Sequence, residues 1–181
     1  MFRFRIDDDT ELRVLEGRHA EELFALTEQN RAYLREWLPW LDNTGSLEDT
    51  QKFIKRSLEQ FANNNGFQAG IWYQGKLVGV IGYHKIDWAN RKTSIGYWLG
   101  ASFQGRGLVT KACRGLVDYA FNELGLNRVE IHCATENKKS CAIPERLGFT
   151  QEGTIRQAER LYDHFVDHVV YRMLADEWAG V

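Results

Sequence analysis

Residues 93–124 hold the feature that most narrows what this chain can become. A strand-like run, Thr93 to Leu99, leads into Gln104-Gly105-Arg106-Gly107-Leu108-Val109-Thr110, and that segment opens a long helical repeat. In the repeat Val109, Cys113, Leu116, Val117, Ala120, Phe121 and Leu124 fall on one helical face, and Gly125 closes it. The first turn of a helix carries amide donors that have no partner inside the helix. Glycines there let an anion reach the backbone, and the helix dipole favours its charge. In physical terms the segment is a pyrophosphate cradle; the plainer reading is a turn that glycines keep uncrowded. Two other phosphate readers fit it poorly. A dinucleotide fingerprint wants Gly or Ala where Thr110 stands. A nucleoside-triphosphate loop ends in Gly-Lys-Ser/Thr, which the chain lacks.

The elements on either side mix types. Glu11 to Leu15 alternates as a strand, and Ala20 to Thr27 fits a short helix. Arg31 to Leu41 is dense in aromatics and leucine and should stop at Pro39. Ser46-Leu-Glu-Asp49 has the form of a helix start, after which Leu47, Ile54, Leu58 and Phe61 share a face. Phe67 to Tyr73, Leu77 to Ile86 and Thr93 to Leu99 are joined by short polar turns, which predicts antiparallel hairpins. Arg128 to Ala134 reads as a strand, Asn137 opens a helix ending near Leu147-Gly148, and the last 30 residues suggest two more strands, Phe165 to Leu174 being the clearer. A meander, a crossover helix, a strand, a helix and a final hairpin add up to an α+β fold on a mixed, mostly antiparallel sheet flanked by helices.

Composition bounds the rest. The 181 residues suit one domain, and with only two prolines there is no linker. Lys plus Arg is 23 against 25 for Asp plus Glu, net −2, where a nucleic-acid binder shows a basic excess. No apolar run of about 18 residues suggests a membrane span. Arg3, Arg5 and Asp7-Asp8-Asp9 do not read as a secretory signal. Cys113, Cys133 and Cys141, an odd set without Cys-x-x-Cys spacing, read as reduced, structural thiols. The expectation is a cytoplasmic domain with no nucleic-acid or membrane partner.

Gln104 to Thr110 at the head of a long helix resembles the Gln-x-x-Gly-x-(Gly/Ala) coenzyme A loop of the GNAT-type N-acetyltransferases. The wider pattern is similar to their RimJ/RimL-like, ribosomal-protein-alanine branch. Asn30-Arg31 through Trp37-Leu38-Pro39-Trp40, Gly96-Tyr97-Trp98-Leu99, Gln104 to Thr110, and Asn137-Lys-Lys-Ser140 before Leu147-Gly148-Phe149 occur in family order. Val109 departs from the usual Gly or Ala, and Pro144 interrupts the helix after Asn137, which should free the Ser140 carbonyl.

The resemblance implies one domain over residues 1–181, with a cofactor-binding core at about 93–149 and an acceptor-side helical arm at about 19–64. It implies acetyl-CoA as donor and no metal. Leu99 would offer backbone groups to the thioester and pantetheine. Gln104, Gly105, Arg106, Gly107, Leu108, Val109 and Thr110 would hold the pyrophosphate. Asn137 would bond the pantetheine arm, and Ser140 would return a proton to the leaving thiolate. Glu159, in Gln157-Ala-Glu159, would be the base. An α-amine, with a reference pKa of ~8 against ~10.4 for lysine, needs only modest help to lose its proton. The acceptor implied is the N-terminal α-amine of a protein, as on a ribosomal protein. A small amine (polyamine, antibiotic or amino acid derivative) or a non-catalytic acyl-CoA-binding module are the alternatives.

Each site residue also has a plainer reading. Ser140 is a capping hydroxyl, Asn137 an N-cap, Glu159 one exposed carboxylate among many, and Arg106 a solvated loop charge. His164 and His168 share a strand face but have no third ligand nearby. Tyr33, Trp37 and Trp40 form either a core wall or an acceptor-binding wall, and apolar surface there could serve a homodimer contact.

Overall fold

The computed structural model describes residues 3–179. Strands β1 (Arg3–Arg5) and β2 (Thr10–Val14) pair first, and helices α1 (Ala20–Leu34) and α2 (Leu47–Ala62) follow. Strands β3 (Phe67–Tyr73), β4 (Lys76–Asp87) and β5 (Lys92–Leu99) form a meander. Helix α3 (Leu108–Asp118) crosses to β6 (Arg128–Ala134), and α4 (Lys138–Arg146) precedes the hairpin β7 (Thr150–Leu161) and β8 (His164–Leu174). All eight strands form one sheet, ordered β1-β2-β3-β4-β5-β6-β8-β7 and antiparallel except between β5 and β6. This is the α+β, mostly antiparallel arrangement that the alternation and polar turns predict.

Local chemistry sets the boundaries. At the start of α2 the Asp49 amide donates to Ser46 Oγ at 3.2 Å, and the Ser46 amide donates to the Asp49 carboxylate at 3.1 Å. That reciprocal pair satisfies two donors the helix leaves free. Helix α1 is longer than the sequence suggests and takes in Tyr33, and near its end Arg31 reaches forward to the Leu41 carbonyl at 2.6 Å and the Thr44 carbonyl at 2.5 Å. Pro39 opens a short 3-10 turn, Pro39–Asn43, rather than ending a helix; at a first turn the missing N–H costs no bond. The helix expected to run to Leu124 gives way to a π-turn at Tyr119–Glu123, with the Leu124 amide donating to the Tyr119 carbonyl at 3.0 Å. Phe61, expected on the buried face of α2, is 52% exposed and sits edge-on to Phe67. Strand β1, too short and polar to show alternation, was not expected at all.

The sheet buries both faces. Ile71, Val78, Ile81, Tyr83 and Ile95 pack with Leu108, Ala112, Cys113, Leu116 and Val117 of α3. Leu15, Trp72, Leu77 and Val80 pack with Leu23 and Leu26 of α1 and Ile54 of α2. With both faces covered, the opening lies where two neighbouring strands part. Between β5 and β6 only Lys92, Thr93 and Ser94 pair, with Arg128, Val129 and Glu130. Beyond them β5 stays with β4 through Leu99 and β6 stays with β8 through Ala134, so the two strands diverge.

Candidate active site

The divergence opens two chambers. One, of about 860 Å³, lies toward the start of α3. The other, of about 960 Å³, lies toward α2 and the β7–β8 hairpin. Trp37, Leu38, Tyr97, Trp98, Asn137 and Ser140 line both, so the chambers meet where the strands part.

The first chamber is built largely of backbone. Gly105 and Gly107 have φ values of 75° and 73°, left-handed conformations that glycine adopts without penalty. A Cβ added at either would meet nothing within 4 Å, so it would point into open space rather than into the fold. Gly107 caps α3 with no side-chain bond, and the Lys111 amide donates to the Gly107 carbonyl at 3.0 Å. The amides of Leu108, Val109 and Thr110 precede that bond and have no acceptor within the helix. Side chains brace this turn from two sides. Gln104 Nε2 donates to Tyr33 Oη across the chamber, and Gln104 Oε1 accepts from Lys139 Nζ at 3.1 Å. Arg146 donates to Thr110 Oγ1 at 3.1 Å. Burial raises the Tyr33 phenol's pKa.

At the junction, Asn137 Oδ1 accepts from the Ser140 amide at 3.2 Å and so caps α4. Pro144 has no N–H to offer the Ser140 carbonyl four residues earlier, and Tyr97 Oη fills that place at 3.0 Å. Ser140 Oγ lies 3.4 Å from Tyr97 Oη and 3.3 Å from Cys133 Sγ. Burial pushes the Tyr97 phenol well above its ordinary value and the Cys133 thiol up to about 12. Both stay protonated at neutral pH, which leaves polar hydrogens and no charge on these two neighbours of Ser140.

The second chamber is built of side chains from many elements. Trp40, Phe53, Lys52 and Arg56 stand on the helical side, with His84, His132, Glu159 and His168 on the sheet side. His168 Nε2 is 3.1 Å from Glu159 Oε2, and desolvation holds the His84 imidazole below the usual histidine value. Among the described residues, no group of three or more His, Cys, Asp or Glu side chains is placed to hold a metal.

Of the residues singled out in the sequence, Leu99, Gln104, Gly105, Gly107, Leu108, Val109, Thr110, Asn137 and Ser140 line the first chamber. Tyr33 lines it too, Trp37 lines both, and Trp40 and Glu159 line the second. Arg106 lines neither; its guanidinium sits over the Tyr73 ring at 5.8 Å. His164, at the hairpin turn, pairs with Asp163 at 3.0 Å, away from His168. Sequence reasoning missed Tyr97, Cys133, Lys139, Arg146 and His168 as lining groups. For Lys139 and Arg146 a signal existed: Lys139, Ile143 and Arg146 follow the i, +4, +7 spacing of one helix face.

Residues 9–150 match the family model described as an acetyltransferase (GNAT) domain. YdaF of Bacillus subtilis (strain 168), which bears the name of a ribosomal N-acetyltransferase, is 41% identical over 181 residues, covering 99% of each chain. A solved structure of the microcin C7 self-immunity acetyltransferase MccE, in complex with acetyl-CoA and AMP, is 35% identical with a TM-score of 0.90, covering 93% of this chain and 94% of that one. RimL, a ribosomal L7/L12 alpha-N-protein acetyltransferase solved in complex with coenzyme A, is 28% identical with a TM-score of 0.94, covering 97% and 99%. The chain belongs to the GNAT acetyltransferases.

It is an acetyl-CoA-dependent N-acetyltransferase on a single GNAT fold. The first chamber of this acetyltransferase fits such a donor by its own geometry: three amides without an acceptor inside the helix behind a glycine cap that has no side chain, two glycines in open space, and the cations Lys139 and Arg146 in its wall. Among the described residues no helix is long and apolar enough to cross a membrane.

Proposed function

We propose that the protein transfers the acetyl group of acetyl-CoA to the N-terminal α-amine of a ribosomal protein, in the cytoplasm, by direct attack on the thioester. The observation that carries this reading is the pair of chambers meeting at Ser140: donor enters from one side and amine from the other. The names of YdaF and RimL supply the acceptor class.

In this reading the core at about 93–149 serves the donor and the helical arm at about 19–64 serves the acceptor. The amides of Leu108, Val109 and Thr110 receive the pyrophosphate, with Gln104, Gly105 and Gly107 shaping the turn. Arg106, directed at Tyr73, contributes charge from outside the cleft. The edge of β5 up to Leu99 has no partner strand beyond Ser94, so its backbone groups face the chamber and can bond an extended pantetheine. Asn137 adds a polar contact there, although its side chain already caps α4. Trp37 and Trp40 form the wall along which the acceptor lies, whereas Tyr33, bonded by Gln104, stands on the donor side.

Glu159 takes a proton from the ammonium form of the amine, and the freed lone pair attacks the thioester carbonyl. When the carbon–sulfur bond breaks, the Ser140 hydroxyl gives its proton to the thiolate, and water carries back to Ser140 the second proton that the nitrogen sheds as it becomes an amide. Cys133 plays no nucleophilic part, since its thiol stays protonated and buried. Much of the rate gain comes from holding amine and thioester together.

A small amine is the second reading, favoured by the 35% identity to MccE, whose complex contains AMP. Mass spectrometry after incubation with acetyl-CoA separates the two. Acetylation of the α-amine of N-terminal peptides from ribosomal proteins, with none on an internal lysine, is the expected result. Turnover of polyamines or amino acid derivatives without any peptide product overturns it.

A further inference from the structure

Strand β7 breaks its pairing where it passes the acceptor chamber. Ile155 pairs with His168 and Glu159 with Val166, so Arg156, Gln157 and Ala158 stand opposite one residue of β8, Asp167. The surplus chain turns through Gln157, whose φ of 49° is left-handed. Asp167 pins this bulge twice: its carboxylate accepts from the Gln157 amide at 2.8 Å and pairs with the Arg156 guanidinium at 2.9 Å. His168 is the next residue, so strand alternation turns it to the opposite face. There its Nε2 meets Glu159 Oε2 at 3.1 Å, a cross-strand diagonal that the bulge makes short. Both side chains line the chamber, and His168 is the less exposed, at 19% against 36% for Glu159. Among the described residues Glu159 has no other ion-pair partner.

We propose that His168 is a positioning residue of acetyl transfer, holding Glu159 by a hydrogen bond that the Asp167-pinned bulge brings into range. This rests on the reading of Glu159 as the base. A glutamate on a strand has three side-chain torsions, and unrestrained it sweeps its charge through solvent as well as toward the amine. His168, donating from Nε2, occupies Oε2 and leaves Oε1 to face the chamber. The proton lost by the ammonium forms its new bond at Oε1 and then passes to solvent. His168 donates the same N–H throughout and exchanges no proton, so the transfer stays balanced without it.

The test is steady-state kinetics on the full chain with acetyl-CoA and an acceptor peptide, for Glu159→Gln, His168→Ala, His168→Gln and the double variant His168→Ala/Glu159→Gln. His168→Ala should lower kcat between roughly tenfold and a hundredfold, the scale of a misplaced reacting group, with KM for acetyl-CoA unchanged. His168→Gln, whose amide N–H can reach the same oxygen, should recover most of the loss. The double variant should be no slower than Glu159→Gln alone, because a positioning residue has nothing left to position. Full kcat in His168→Ala beside a slow Glu159→Gln overturns the inference and leaves the base in place. Full kcat in both removes Glu159 from the mechanism, and the inference with it. Additive losses in the double variant, with no rescue by Gln, show a merely structural histidine and also overturn it.

Discussion

The two chambers solve recognition by different means. The donor chamber relies mainly on a strand edge, a glycine turn and one helix end that are close together in sequence, braced by side chains of α1 and α4. The acceptor chamber collects side chains from Leu23 to His168, contributed by α1, α2, α4 and six strands. Backbone amides bind any pyrophosphate alike, so that half depends on local geometry. The other half depends on which side chains the distant elements happen to present. Residues of the donor half should therefore move donor affinity alone, and residues of the acceptor half kcat or acceptor KM alone.

The sharpest break between the halves is expected at Glu159. Glu159→Gln should cut kcat by roughly 10²–10³ while calorimetry finds donor affinity unchanged. Next comes Gly107→Val. A β-branched residue is strained at a φ of 73°, and its side chain fills the space in front of the amides. Acetyl-CoA should bind about 100-fold more weakly, while a circular dichroism melt shows the fold retained. Trp37→Ala tests the seam, because Trp37 lines both chambers. It should raise both KM values, by about threefold to tenfold, corresponding to roughly 1 kcal/mol of lost aromatic contact.

Arg146→Ala should weaken donor binding about threefold, with the difference fading as salt screens the partly exposed charge. The smallest effect belongs to Asp7. Its hydrogen bond from Lys111, at 2.6 Å, holds its carboxyl at about 2, below the ordinary 3.8, against a burial effect that pushes upward. A depressed carboxyl stabilises the fold above its ordinary value and loses that contribution as pH falls toward about 2. Asp7→Asn should therefore cost at most about 0.5 kcal/mol at neutral pH, given how far water reaches the pair, and almost nothing near pH 2. Lys111 lines the donor chamber, so releasing it should not weaken acetyl-CoA binding.

The same division explains what could be read from the sequence. The glycine turn, the α3 repeat as far as Val117, the Asn137 cap and the α2 capping box are local patterns, and each stands where its residues predict. The Ser140 carbonyl was also foreseeable as free, because proline always lacks an N–H. That Tyr97 would take it was not, since 43 residues separate the two. His168 was weighed only as a metal ligand beside His164, because the bulge that carries Glu159 to it leaves no mark in the spacing of strand residues. Arg106 looked like the cation of the pyrophosphate turn by position alone, yet it stacks on Tyr73, while Arg146 reaches Thr110 from another helix.

Pro144 has a consequence for how the enzyme keeps its shape. With an ordinary residue at this position α4 would close its own ladder and touch β5 only through packing. The missing donor turns one rung outward, and Tyr97 docks on it like a strut between the two banks of the divide. A phenol has a fixed length and only two side-chain torsions, so the gap between β5 and α4 is set to one width. Pro144→Ala returns that carbonyl to the helix. The tyrosine hydroxyl is then left with the Ser140 side chain as its neighbour, and on the proposed mechanism it competes for the hydroxyl assigned to the leaving thiolate. The proline is thus a spacer gauge for the passage between donor and acceptor, written in sequence as the absence of one hydrogen.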